Sequence, residues 1–96
     1  MITPPREALP VLLEAIEYFC TDLSETIQEF NGDRRKLNEI VAAFRTGTSH
    51  YVAYIETWED KLDTPTELIQ FERLSQFIRE AKMLMNQALR LISTVH

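Results

Sequence analysis

One cysteine, two glycines and four prolines are nearly all this 96-residue chain holds of the residues that staple, turn or break a backbone. With Cys20 alone, no internal disulfide forms and a cysteine-built metal site lacks its ligands, so a reducing compartment is the natural setting. Two glycines supply almost nothing for the tight turns that hairpins need, which excludes a β-rich fold. Long apolar runs are missing as well: no stretch approaches about 18 uninterrupted apolar residues. The opening MITPPREALP has no basic region followed by an apolar run of signal-peptide length. A soluble, cytoplasmic protein is expected, with no membrane partner. Positive charge is also short, ten Lys and Arg against fifteen Asp and Glu, for a net charge of -5. That is the wrong sign for a chain that neutralises phosphates, so nucleic acid is disfavoured as a partner.

What the chain does have is a hydrophobic content of 45%, enough for a core, in a length that makes one domain over residues 1–96. The apolar residues recur in steps of four and three. They fall first at Leu9, Leu13, Ile16, Cys20, Leu23, Ile27 and Phe30, then at Leu37, Val41, Phe44, Thr48, Tyr51, Ile55, Trp58 and Leu62. A third series runs Phe71, Leu74, Ile78, Ala81, Met85, Ala88, Ile92 and Val95. Each is the seam of a packed, coiled-coil-like helix. Flanking apolar residues widen every seam: Leu12 and Phe19; Ile40 and Tyr54; Phe77, Leu84 and Leu91. A helix touching two neighbours needs such a face. The fold class expected is therefore all-α, an up-down-up three-helix bundle with segments of about 27 residues, about 40 Å long.

Local signals set the expected boundaries. Thr3 before Pro4 reads as an N-cap followed by proline at the first helical position, with Pro10 able to kink or delay the start. Asn31 and Gly32 accept the left-handed conformation that closes a helix, and Asp33 can cap the next one. DTPTE, residues 63–67, combines Thr64 as N-cap, Pro65 at the first helical position and Glu67 completing a capping box. The stretch TGTSH, residues 46–50, strings hydroxyls and glycine together inside the second series, yet the four-three rhythm stays in phase across it. A continuous helix with a soft turn at Gly47 is expected. The alternative is a break capped by Thr48 or Ser49, giving a four-helix variant.

Candidate chemistry is sparse, and no catalytic residue, cofactor or metal site is assigned. Thr46 and His50 are one helical turn apart but lack a third, orienting group and an oxyanion loop. The pairs Glu14 with Glu17 and Glu56 with Glu59 flank the seams rather than face the interior. Folding about Gly32 sets Glu14 opposite a position near 50 and Glu56 level with the chain start, so the pairs do not converge; a weak external cation site from Glu14, Glu17 and His50 is the residual metal reading. Cys20 on its seam reads as a small buried hydrophobe, Tyr51 and Trp58 as core, and Met83 and Met85 as core where they face inward. Arg34, Arg35 and Lys36 oppose the dipole of the helix they begin and call for compensation by Glu29 and Asp33, or for a partner.

Charge is distributed unevenly along the predicted bundle. Residues 1–17 and 50–72 carry nine acids and two bases, whereas residues 18–49 and 73–96 carry six acids and eight bases. This polarity points to an oriented protein contact. The expected function is a non-enzymatic protein-interaction module, of adaptor, chaperone or inhibitor type, whose partner has a basic surface. Its expected contact residues are Glu14, Glu17, Tyr18, Tyr54, Glu56, Glu59 and Asp60, with Arg34, Arg35 and Lys36 as the secondary surface. The wide third stripe, extended by Leu68 and Leu89, also predicts a homodimer at micromolar concentration. Two rival functions remain: a metal-binding protein or small bundle enzyme using the acidic end, and a nucleic-acid-associated subunit using Arg34, Arg35, Lys36, Arg45 and Arg90.

Overall fold

In a computed structural model, which describes residues 4–94, three helices follow one another: α1 (Leu9–Gln28), α2 (Arg34–Trp58) and α3 (Pro65–Thr94). Contacts between distant residues fix their directions. Phe19 meets Phe44, Arg6 meets Tyr54 and Pro4 meets Trp58, so position falls along α2 as it approaches the start of α1. Arg6 reaches Glu67 and Cys20 reaches Phe77, so α1 and α3 run parallel. The bundle is up-down-up. The pairing of α1 with α3 is the most extensive, and α2 completes an elongated body of 49 × 27 × 16 Å.

The seams form the core. Leu9, Leu13, Ile16, Cys20 and Leu23 of α1 are buried together with Leu37, Val41 and Phe44 of α2 and with Leu74, Ile78, Ala81, Met85 and Ala88 of α3. Phe19 and Phe44 stack with ring centroids 4.8 Å apart. Among the described residues no buried side-chain nitrogen or oxygen lacks a hydrogen-bond partner. Phe77, Leu84, Leu89 and Leu91, which widen the third stripe, pack partly buried against this core, while Leu68 stays exposed. Val95 lies outside the described residues.

The second helix is continuous through Gly47, as the unbroken rhythm predicts. Its hydroxyls turn onto their own helix: Thr46 Oγ1 donates to the Ala42 carbonyl and Thr48 Oγ1 to that of Phe44, at 3.1 and 2.7 Å. The start of α3 also matches its sequence signal. Thr64 Oγ1 accepts from the Glu67 N–H at 3.3 Å and donates to the Glu67 carboxylate at 2.6 Å, and the helix begins at Pro65. Asp33 caps α2 by accepting from the Arg35 N–H at 3.0 Å.

Two expectations are corrected. The chain start is not helical at Pro4: a residue preceding proline is pushed out of the helical region, Pro5 is itself extended at ψ 148, and only a single 3-10 turn, Arg6–Ala8, intervenes before α1. Thr3, the expected cap, lies outside the described residues, and Pro10 instead occupies the first turn of α1. The helices are consequently unmatched, with 20, 25 and 30 residues. At the other end of α1 only Gly32 takes a positive φ, 103°; no described non-glycine residue does, so Asn31 contributes differently, its Oδ1 accepting from the Asp33 N–H at 3.2 Å. Of the two methionines of α3, Met85 faces the core and Met83 faces solvent.

Candidate functional site

The end of the bundle where the chain starts is tied together by long-range polar bonds. Tyr54 Oη donates to the Arg6 carbonyl at 2.7 Å, and Trp58 Nε1 donates to that of Pro4 at 2.8 Å. The Arg6 guanidinium then reaches α3 and the turn before it, with Nε 2.6 Å from Glu67 Oε2 and Nη2 2.6 Å from Asp63 Oδ1. A two-armed guanidinium contact of this kind fixes direction as well as distance. It also reshapes the acidity of its partners. The Arg6 side chain, helped by the Thr64 hydroxyl, holds the Glu67 carboxyl down at about 2, and Arg6 is raised in turn.

These bonds remove Tyr54 from the expected contact surface. It has no exposed area, because the turn at Arg6 lies over it and satisfies its hydroxyl. Tyr18 is the opposite case. It stands 74% exposed on the outer face of α1, between Glu17 and the helix's other carboxylates. Along its 20 residues α1 carries Glu14, Glu17, Asp22 and Glu25 and no Lys or Arg. Val11, two turns before Tyr18 on the same outer side, is 68% exposed.

The remaining acidic residues make a second group. Glu56, Glu59 and Asp60 sit at the end of α2, all exposed. Since Phe19 is level with Phe44, Glu14 is level with about residue 49, and the second group lies roughly 10 to 16 Å farther along the axis at 1.5 Å per residue. The structure thus brings Glu14, Glu17 and Tyr18 together and Glu56, Glu59 and Asp60 together, without merging the two. None of these five carboxylates is ion-paired among the described residues.

The residues with possible chemistry do not assemble into a reactive centre. Ser49 Oγ points back to the Thr46 carbonyl, His50 is exposed, and Thr46 is spent on Ala42. No group of three His, Cys, Asp or Glu side chains among the described residues is placed to hold a metal ion, so Glu14, Glu17 and His50 do not form a ligand set. Burial, with Glu80 nearby, pushes the Cys20 thiol up to about 11, and its Sγ lies 3.5 Å from the Phe77 carbonyl. A thiol so protonated is a poor nucleophile. The basic run is answered locally: Asp33 accepts from the Arg35 N–H and lies 3.5 Å from its Nε, which holds the Asp33 carboxyl below its ordinary range.

No protein-family model, curated protein or solved structure matches this chain. No described helix is long and apolar enough to cross a membrane.

Tyr18, expected at the contact surface because it follows Glu17 on the outward side of the first helix, is on the outer face. Sequence reasoning passed over Arg6, the residue that joins all three helices at this end. The only signal for it was a lone cation near the start of a segment whose helix has no base of its own.

Proposed function

We propose that this chain is a non-enzymatic protein-interaction module, of adaptor, chaperone or inhibitor type, that binds a partner with a basic surface through the outer face of α1. The observation that carries the reading is Tyr18, an aromatic side chain left 74% exposed on a helix that bears four carboxylates and no cation. Interfaces centre on such aromatic anchors and place charge at the rim. Glu14 and Glu17 form the near rim, while Glu56, Glu59 and Asp60 extend the negative field toward the chain start and speed encounter with a basic surface. Arg34, Arg35 and Lys36, at the far end, orient the approach by repelling it. A cytoplasmic setting suits the single cysteine, a buried free thiol.

The test is a quantitative pull-down from the native host, using the wild type and three folded variants. Replacing Glu14, Glu17 and Tyr18 by serine should remove the partner, and replacing Glu56, Glu59 and Asp60 by serine should weaken it. Replacing Arg34, Arg35 and Lys36 by serine should leave it in place. Loss of the partner with the last variant alone would move the functional surface to the basic end.

A further inference from the structure

We propose that the outer face of α3 binds a second copy of this chain in antiparallel register, with the two-fold axis at Gln76. The inference uses no residue of α1 and is independent of the interaction-module reading. It starts from IQFERLSQFIREAKM, residues 69–83, whose exposed residues repeat in mirror order about the middle. Glu72 and Arg73 precede Gln76 by four and three positions, and Arg79 and Glu80 follow it by three and four; Ile69 and Met83 stand seven positions away on either side. At 3.6 residues per turn these positions share one face of the helix. That face is turned away from the core. Leu74, Ile78 and Ala81 are buried, whereas Ile69 and Met83 are 62% and 64% exposed and the charged residues and Gln76 between them are exposed as well. The surface is therefore distinct from the apolar flank of the seam, where Phe77 and Leu84 pack against the core.

The four charges find no counterpart on their own helix. None has an opposite charge three or four positions away, where helical side chains meet, and none is ion-paired among the described residues. An antiparallel copy supplies what is missing. With Gln76 set opposite Gln76, Arg73 meets Glu80 of the other copy along one flank and Glu72 meets Arg79 along the other, so the symmetry generates each pair twice. Ile69 of each copy then lies against Met83 of the other, which covers both exposed apolar side chains. Exposed ion pairs add little strength but penalise wrong partners, so the charges fix the register while the apolar and amide contacts hold it. A parallel copy would also pair the four charges, 72 with 73 and 79 with 80. The ends decide between the two. The parallel dimer sets Arg90 on Arg90 and the acidic ends side by side. The antiparallel dimer brings Arg90 level with position 62, in the turn between Asp60 and Asp63, and lays each acidic end, nine acids and two bases, along an end with eight bases and six acids. Two helix faces about four turns long make a contact smaller than the about 1,600 Å² of a standard interface, so the dimer dissociates at about 10 to 100 µM.

The test is sedimentation at low salt from about 1 µM to about 1 mM, a range that brackets an interface of this size, on the wild type and on two exchanges that leave composition and net charge unchanged. Arg73→Glu with Glu80→Arg swaps the members of one intermolecular pair, and should keep the dimer within about threefold of wild type. Glu72→Arg with Arg73→Glu sets like charges opposite each other at every pair of the antiparallel register, and should weaken the dimer by at least about tenfold. All these sites are exposed, so both exchanges should retain the helical circular dichroism. Should either disturb it, Ile69→Ser with Met83→Ser takes its place and should also weaken the dimer by at least about tenfold. A dimer that survives the 72 and 73 exchange but not the 73 and 80 exchange is parallel and overturns the proposal. One indifferent to both exchanges lies on another face, and one lost in both is not held in this register; either result overturns it too. A wild type that stays monomeric at about 1 mM removes the second copy altogether, while the pull-down judges the module reading separately.

Discussion

Replacing Gly47 by alanine should make this protein more stable, and replacing Gly32 by alanine should make it less so. Gly47 lies in the interior of α2, more than ten residues from either end, and the position where its Cβ would stand has no heavy atom within 4 Å. Nothing opposes the new methyl group, so the change keeps only the difference in helix propensity and in unfolded-chain entropy, about 0.8 to 1 kcal/mol in favour of alanine. Gly32 is equally uncrowded, but its φ of +103° is a conformation that a Cβ disfavours by about 1 to 2 kcal/mol. Free space is common to both sites and the backbone differs, so the pair isolates the backbone term. Urea unfolding followed by circular dichroism reads it directly. A gain of about 1 kcal/mol corresponds to a rise of about 4 to 8 °C in the melting temperature for a chain of this size. If Gly47→Ala destabilises the protein, α2 is not a relaxed helix at that point, and a break at Gly47 to Ser49 regains its place.

Two further outcomes test the core and the clasp at the chain start. Ile16→Ala, at a residue with no exposed area, should cost about 2 to 5 kcal/mol in urea unfolding, and a loss under 1 kcal/mol would mean the α1 seam is not central. Glu67 titrates at about 2 in the folded protein against 4.5 as the ordinary value, so between those pH values the unfolded chain binds the extra proton. Stability from this group is present above about pH 4.5 and is lost as pH falls toward about 2; Glu67→Gln should flatten that limb of the stability curve, and an unchanged limb would refute the clasp with Arg6.

The parts legible in the sequence are those set by local physics. The start of α3 was readable because Thr64, Pro65 and Glu67 satisfy one another within four positions. The continuity of α2 was readable because a four-three rhythm keeps its phase only along a single helix. The chain start was not, since Thr3 with Pro4 and the proline at position 10 obey the same helix-start rule. The choice between them is made by Tyr54 and Trp58, about fifty positions away, which hold the carbonyls of Arg6 and Pro4. The same bonds hid Tyr54 from the sequence reading: its phase put it at the edge of the seam, and only the turn crossing over it makes it core. Tyr18 has no such neighbour over it, so its place after Glu17 on the outward side of the helix was enough to locate it. The separation of the two acidic clusters was legible too, because folding about Gly32 already sets Glu14 opposite a position near 50, the register that the Phe19 and Phe44 stack holds.

The claim that a basic partner docks on the outer face of α1 is tested most directly by association kinetics across salt concentration, with the partner recovered in the pull-down. From about 50 to about 500 mM salt the screening length shortens from about 14 to about 4 Å. The wild type should then lose at least about tenfold in association rate with little change in dissociation, as steering by an acidic surface requires. The Glu14, Glu17 and Tyr18 variant should begin slower and respond less to salt. A wild-type rate indifferent to salt, or a variant that matches the wild type throughout, would contradict the account.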